Sequence, residues 1–130
     1  MAGTLGIAAA RAQNAAAVQE CQQSTDKGYC LQLLQQLAIR RVEVVELVSQ
    51  VSHISAADTD AFIQKCEDEQ KKIGALAREF AALFTDPKTR FQFMLAAQKN
   101  DNMVVMLERV RHEPAEDQLA DLMQLLHQSH

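Results

Sequence analysis

The sequence predicts an all-α fold: a helical bundle or set of antiparallel helical hairpins, with about five to six helices and no sheet. Three observations predict it. Ala, Leu, Gln, Glu, Lys, Arg and Met dominate the composition, and these are the strong helix formers. Only four Gly and two Pro occur in 130 residues, too few for the many turns of an all-β chain. Apolar residues recur three and four positions apart over long stretches, between recognisable capping signals. A chain of this length fits one domain, here residues 1–130 with a candidate sub-boundary at Asp86. It buries enough surface to need no metal or disulfide framework.

Residues 5–23 read as a first helix. It is rich in Ala, with a thin apolar stripe of Ile7, Ala10, Ala17, Val18 and Cys21, so it must pack closely on a neighbour or fray. Residues 22–28 form a turn in which Thr25 or Asp26 can cap the next helix. That second helix, residues 28–53, carries two apolar rows. One is Cys30, Leu33, Leu37, Val44, Leu47, Val51 and Ile54; the other is Leu31, Leu34, Ala38, Val45 and Val48. Two rows demand cover from two sides, which makes this helix the expected centre of the fold.

Ser55-Ala56-Ala57-Asp58 has the form of a capping box, with Asp where Glu or Gln is usual. It opens a third helix ending near Phe84. Phe62, Cys66, Glu69, Ile73, Leu76, Phe80 and Leu83 alternate steps of four and three along it, which is coiled-coil heptad spacing. Leu37 and Leu76 are expected in the core. Gly74, inside this helix, is expected to mark a close approach by the Ala-rich first helix. Asp86-Pro87 then caps and starts a fourth helix carrying Phe91, Met94 and Leu95 on its packed side. Asn100-Asp101-Asn102 is read as a break before a short fifth helix, residues 103–111. Glu113-Pro114 precedes a last helix, residues 114–128, with Ala115, Leu119, Leu122, Met123 and Leu126 on one face.

The net charge is −4, with the basic excess in residues 86–111 and the acidic excess from His112 onward. No basic face is large enough to grip a phosphate backbone strongly. Lys88, Arg90 and Lys99 beside Phe91 and Phe93 leave single-strand nucleic-acid binding as an alternative. No apolar run approaches the roughly 20 residues of a membrane span. The first twenty residues lack the pattern of a secretory signal; Ala-rich, with one Arg and no acid before Glu20, they leave a transit segment open. Three cysteines make no disulfide framework, and reduced thiols in the cytoplasm are the expectation. A Cys21–Cys30 bridge across the turn is the alternative.

Enzyme chemistry is not visible. Phosphate loops, nucleotide fingerprints and zinc-protease motifs are missing, and four Gly cannot supply a phosphate cradle. Cys66 is the best thiol candidate, but it lies on the apolar stripe, where it serves as a small hydrophobe. His53, His112, His127 and His130 are too few and too scattered for a structural zinc site. No cofactor or metal is therefore expected. Glu69, also on the stripe, either keeps its carboxylate in water at the seam edge or pairs with Arg40 or Arg41 as a register device.

What remains points to helix packing. Apart from Met1, every Met lies in the C-terminal part, and flexible thioethers suit surfaces that accommodate helices. Met103, Met106, Leu119, Leu122, Met123 and Leu126 are the candidate partner-binding residues. The reading is a non-enzymatic protein-interaction module: an adaptor, a small chaperone or a helical subunit of a larger assembly. Its partner would be another helical protein or a second copy. A helical enzyme or ligand carrier built on Cys66 or the histidines is the alternative. The last helix is expected to dock on its own body in the free chain.

Overall fold

A computed structural model describes residues 18–128. The predicted first helix lies outside the described residues except for its end, where Val18–Glu20 are helical and a 3-10 turn follows at Cys21–Gln23. Four long helices come after it: α1 (Lys27–Gln50), α2 (Thr59–Ala82), α3 (Pro87–Arg111) and α4 (Ala115–Gln128). Every described regular element is helical, as composition and periodicity require.

The helix starts are set by local chemistry. The Asp26 carboxylate accepts the Tyr29 N–H at 3.0 Å and caps α1. Asp86 accepts the Thr89 N–H at 3.0 Å and its hydroxyl at 2.8 Å, with Pro87 in the first helical turn. The capping box at Ser55 is not made. The Ser55 hydroxyl donates to the Asp58 carboxylate at 2.9 Å, and residues Ala56–Asp58 form a 3-10 turn before α2. The shorter Asp side chain meets the hydroxyl instead of reaching back to the backbone.

Cross-helix pairs fix the topology. Thr25 N–H donates to the Leu83 carbonyl at 2.8 Å, Tyr29 to Glu79 at 3.2 Å and Arg40 to Glu69 at 3.0 Å. The numbers descend along α2 as they rise along α1, so the two helices are antiparallel. Arg78 with Asp101 and Glu67 with Arg111 show the same for α2 and α3.

The centre of the fold is α2, not α1. Its Glu69 side faces Arg40 of α1, while Glu67 and Gly74 face Arg111, Asn100 and Asp101 of α3. The heptad stripe covers only one of these faces; buried Ile63, Ala77 and Ala81 supply the other. The second apolar row of α1 is covered only in part: Leu34 is buried and Ala38 and Val48 are half-buried, whereas Leu31 and Val45 are exposed, as are the flanking Ile39 and Val42. Leu37 is buried as expected, and Leu76 is half-buried beside the aromatic cluster.

The break at Asn100–Asn102 does not occur, and α3 runs through it. Three polar residues cost a helix only a few tenths of a kcal/mol each relative to Ala. Here each has a use. Asn100 donates to the Ala96 carbonyl at 3.0 Å, Asp101 pairs with Arg78, and Asn102 accepts from Gln98 at 3.2 Å. Because the helix is continuous, its inward face is Phe93, Ala97, Leu107 and Val110, and Phe91, Met94 and Leu95 point outward instead of into the core.

Gly74 is buried against α3; the first helix expected to approach it lies outside the described residues. A methyl group there would meet side-chain atoms of Arg78, Asn100 and Asp101 at 3.4–3.7 Å, ordinary contact distances.

Two apolar clusters result. One gathers Phe62, Ile63 and Cys66 of α2, Leu107 and Val110 of α3, and Leu122, Leu125 and Leu126 of α4, rimmed by Leu47, Val48, Val51 and Ile54. The other holds Cys21, Cys30, Leu33, Leu34, Phe80 and Phe84, with Leu76, Leu83 and Phe93 against it.

Candidate interaction surfaces

The residues picked out as partner-binding separate in space. Leu122 and Leu126 lie inside the first cluster and Met103 packs against it, while Leu119 and Met123 are half-buried. The apolar face of α4 therefore docks on the body of the protein. Leu125 joins it, and so does Gln118, whose amide donates to the Arg111 carbonyl at 2.9 Å and the Glu113 carbonyl at 3.4 Å. Met106 stands apart, exposed on α3.

The alternatives built on reactive side chains find little geometry. Burial, with the adjacent Glu67 charge, pushes the Cys66 thiol up to about 11, so almost none is thiolate at neutral pH. His53, His112 and His127 are exposed on separate elements, and His130 lies outside the described residues. Among the described residues, no group of three His, Cys, Asp or Glu side chains is placed to hold a metal ion.

Charged groups inside the fold are structural. Glu69 pairs with Arg40 at 3.0 Å and with Lys72 at 3.6 Å, and its side chain is mostly buried. Glu67 is enclosed, with one carboxylate oxygen on Arg111 at 3.3 Å; Arg111 also reaches Asp60 at 3.4 Å. Nothing in the sequence marks Glu67 as buried, because its partner is 44 positions away. At the α3–α4 corner, a hydrogen bond with Asp121 raises the Glu113 carboxyl above the usual range. Burial and the charges of Asp121 and Asp117 act the same way.

The cysteines near the start are bridged. Cys21 and Cys30 form a disulfide with a Cα–Cα distance of 5.7 Å, buried against Phe80 and Phe84. The expectation of three reduced thiols is thereby overturned. The turn between them is short enough to bring the two side chains together once Thr25 is tied to Leu83.

Apolar side chains stay exposed in several places among the described residues. The outer side of α3 presents Phe91 (66% exposed), Met94, Leu95, Val105 and Met106, a stripe about 20 Å long. Lys88, Arg90 and Lys99 are exposed on the same helix, whereas Phe93 turns inward to stack with Phe80 and Phe84. The outer side of α1 presents Leu31, Ile39, Val42 and Val45. Between α1 and α3 lies a cleft of about 300 Å³, floored by Ile73 and Ala77 and walled by Leu34, Leu37, Phe93 and Ala96. Arg41, its charge disfavoured by burial, and Glu20 share that cleft. No helix among the described residues is long and apolar enough to cross a membrane. No protein-family model matches the chain, and neither a curated protein nor a solved structure matches it.

Proposed function

We propose that this chain is a non-enzymatic protein-interaction module, an adaptor, small chaperone or helical subunit of a larger assembly, that binds a helical partner through the outer face of α3. The observation that carries the reading is the stripe from Phe91 to Met106: five large apolar side chains, all exposed, on one rigid helix. Exposed apolar groups on a folded surface suit interaction sites, and here two of them, Phe91–Leu95 and Val105–Met106, flank the hydrogen-bonded pair Gln98 and Asn102 on the same face. Two methionines in it allow the surface to adapt to its partner.

The compartment belongs to the same proposal. Composition alone favours the cytoplasm, but a buried Cys21–Cys30 bridge favours an oxidising compartment, where disulfides persist. Thiol labelling of denatured protein taken from its native cell decides between them. One reactive cysteine, Cys66, supports the oxidising reading; three return the protein to a reducing compartment.

The interaction is tested by replacing Phe91, Leu95 and Met106 together with Ser. These side chains are exposed, so the melting temperature should hold while the stoichiometric partner captured by the unmodified protein is lost. Retention of that partner by the triple variant would refute the α3 assignment.

A further inference from the structure

The outer faces of α1 and α3 carry the same pattern. On α1, Leu31, Gln35, Ala38, Val42, Val45 and Ser49 follow one another in steps of four and three, and all but the half-buried Ala38 are exposed. On α3, Phe91, Leu95, Gln98, Asn102, Val105 and Arg109 take the same steps, and all are exposed. This is the spacing by which two helices wind together. Each stripe is about 27 Å long at 1.5 Å per residue, so either can cover the other from end to end. The two faces lie on different sides of the molecule, because α1 packs on the Glu69 side of α2 and α3 on its Glu67 and Gly74 side. They cannot meet within one chain.

Charge distinguishes them. Glu43 and Glu46 are exposed beside the α1 stripe, whereas Lys88, Lys99 and Arg109 are exposed on or beside the α3 stripe. None of the five has an ion-pair partner among the described residues. The neighbouring charges do not reverse the contrast. Lys27 stands at the start of α1, Arg41 is half-buried and turned toward α3, and Arg90 and Glu108 offset each other along one edge of α3. In the groove beside Glu43 and Glu46, Lys65 and Lys72 are balanced by Asp68 and Glu69.

Resting on the reading of α3 as a binding face, we propose that its partner is a second copy of this chain, whose outer α1 face packs along it as in a coiled coil. Opposite charges favour α1 on α3, and like charges disfavour α1 on α1 or α3 on α3. The contact is heterologous. Each docking leaves one α1 face and one α3 face free, so copies add head to tail into a ring or an open row. Gln98 and Asn102, hydrogen-bonded to each other, put polar groups in the seam, which sets register at a cost in stability. The association is therefore reversible and depends on concentration.

The test is analytical ultracentrifugation of the full chain with the Cys21–Cys30 bridge intact. The average mass should climb past that of a dimer as concentration rises, and fall when salt screens the charges. Glu43→Lys/Glu46→Lys and Lys88→Glu/Lys99→Glu change exposed side chains, so both variants should keep the melting temperature of the unmodified protein. Each alone should sediment as a monomer. An equal mixture should associate again, because the reversed α1 face of one variant meets the reversed α3 face of the other and the unreversed faces meet as before. A mixture that stays monomeric would overturn the proposal. So would association lost in the α3 variant but untouched in the α1 variant, which would keep α3 as a binding face with another occupant. A chain monomeric at every concentration would overturn it too. The α3 reading is then judged separately by the partner lost from the Phe91, Leu95 and Met106 variant, and binding to anionic vesicles abolished by Lys88→Glu/Lys99→Glu would give the face to a lipid surface.

Discussion

The two ends of the molecule solve the same packing problem with different means. Around Cys66 a three-helix layer is closed by a fourth helix, and Leu122, Leu125 and Leu126 supply the missing wall. Around Phe80 the described wall is a disulfide and three phenylalanines, with Phe80 and Phe93 ring centres 4.5 Å apart and nearly perpendicular. The first end gains stability from aliphatic burial along a whole helix. The second gains it from aromatic contact and from a crosslink that restricts the unfolded chain. Among the described residues no second helix plays the part of α4 at that end.

The largest expected effects come from removing the centre of each cluster. Phe80→Ala should destabilise the fold by about 3–5 kcal/mol and Leu122→Ala by about 2–5 kcal/mol, read by urea denaturation. A loss under half a kcal/mol at Leu122 would detach α4 from the body and undo the contrast between the ends.

Next in size is the crosslink. For the short loop between Cys21 and Cys30, the chain-entropy model gives about 2–3 kcal/mol. The Cys21→Ser/Cys30→Ser variant should lose that much and become more sensitive to Phe80→Ala. An unchanged melting temperature would leave the aromatic cluster as the sole support of that end.

A smaller effect of opposite sign is expected at Gly74. Its neighbours leave room for a methyl group, so Gly74→Ala should stabilise the protein by about 0.5–1 kcal/mol through helix propensity. A loss instead would show that α3 lies against α2 without room to give.

The smallest effect sharpens the α3–α4 corner. A carboxyl whose pKa is raised by folding favours the folded state when protonated; that contribution is lost as pH rises through the raised value. Glu113→Gln should therefore raise the melting temperature near pH 7 and leave it unchanged below the carboxylate range. The same gain at both pH values would attribute it to packing instead of charge.

Local signals decided much of this protein from sequence. Helical composition, the caps at Asp26 and Asp86, the corner at Glu113-Pro114 and the inward place of Cys66 are properties of a few neighbouring residues, and each stands in the structure. Tertiary structure decided what depends on distant partners. Asn100–Asn102 stays helical because Arg78 and the turn before it satisfy the polar side chains. That continuity turns Phe91, Met94 and Leu95 outward and so creates the candidate surface on α3. The apolar rows of α1 were legible, but which helix would cover them was not, because a stripe records only the need for burial. Choosing α2 as the centre required its second face, where Gly74, Ala77 and Ala81 beside Ile63 carry little hydrophobic signal yet allow a neighbouring helix to come close.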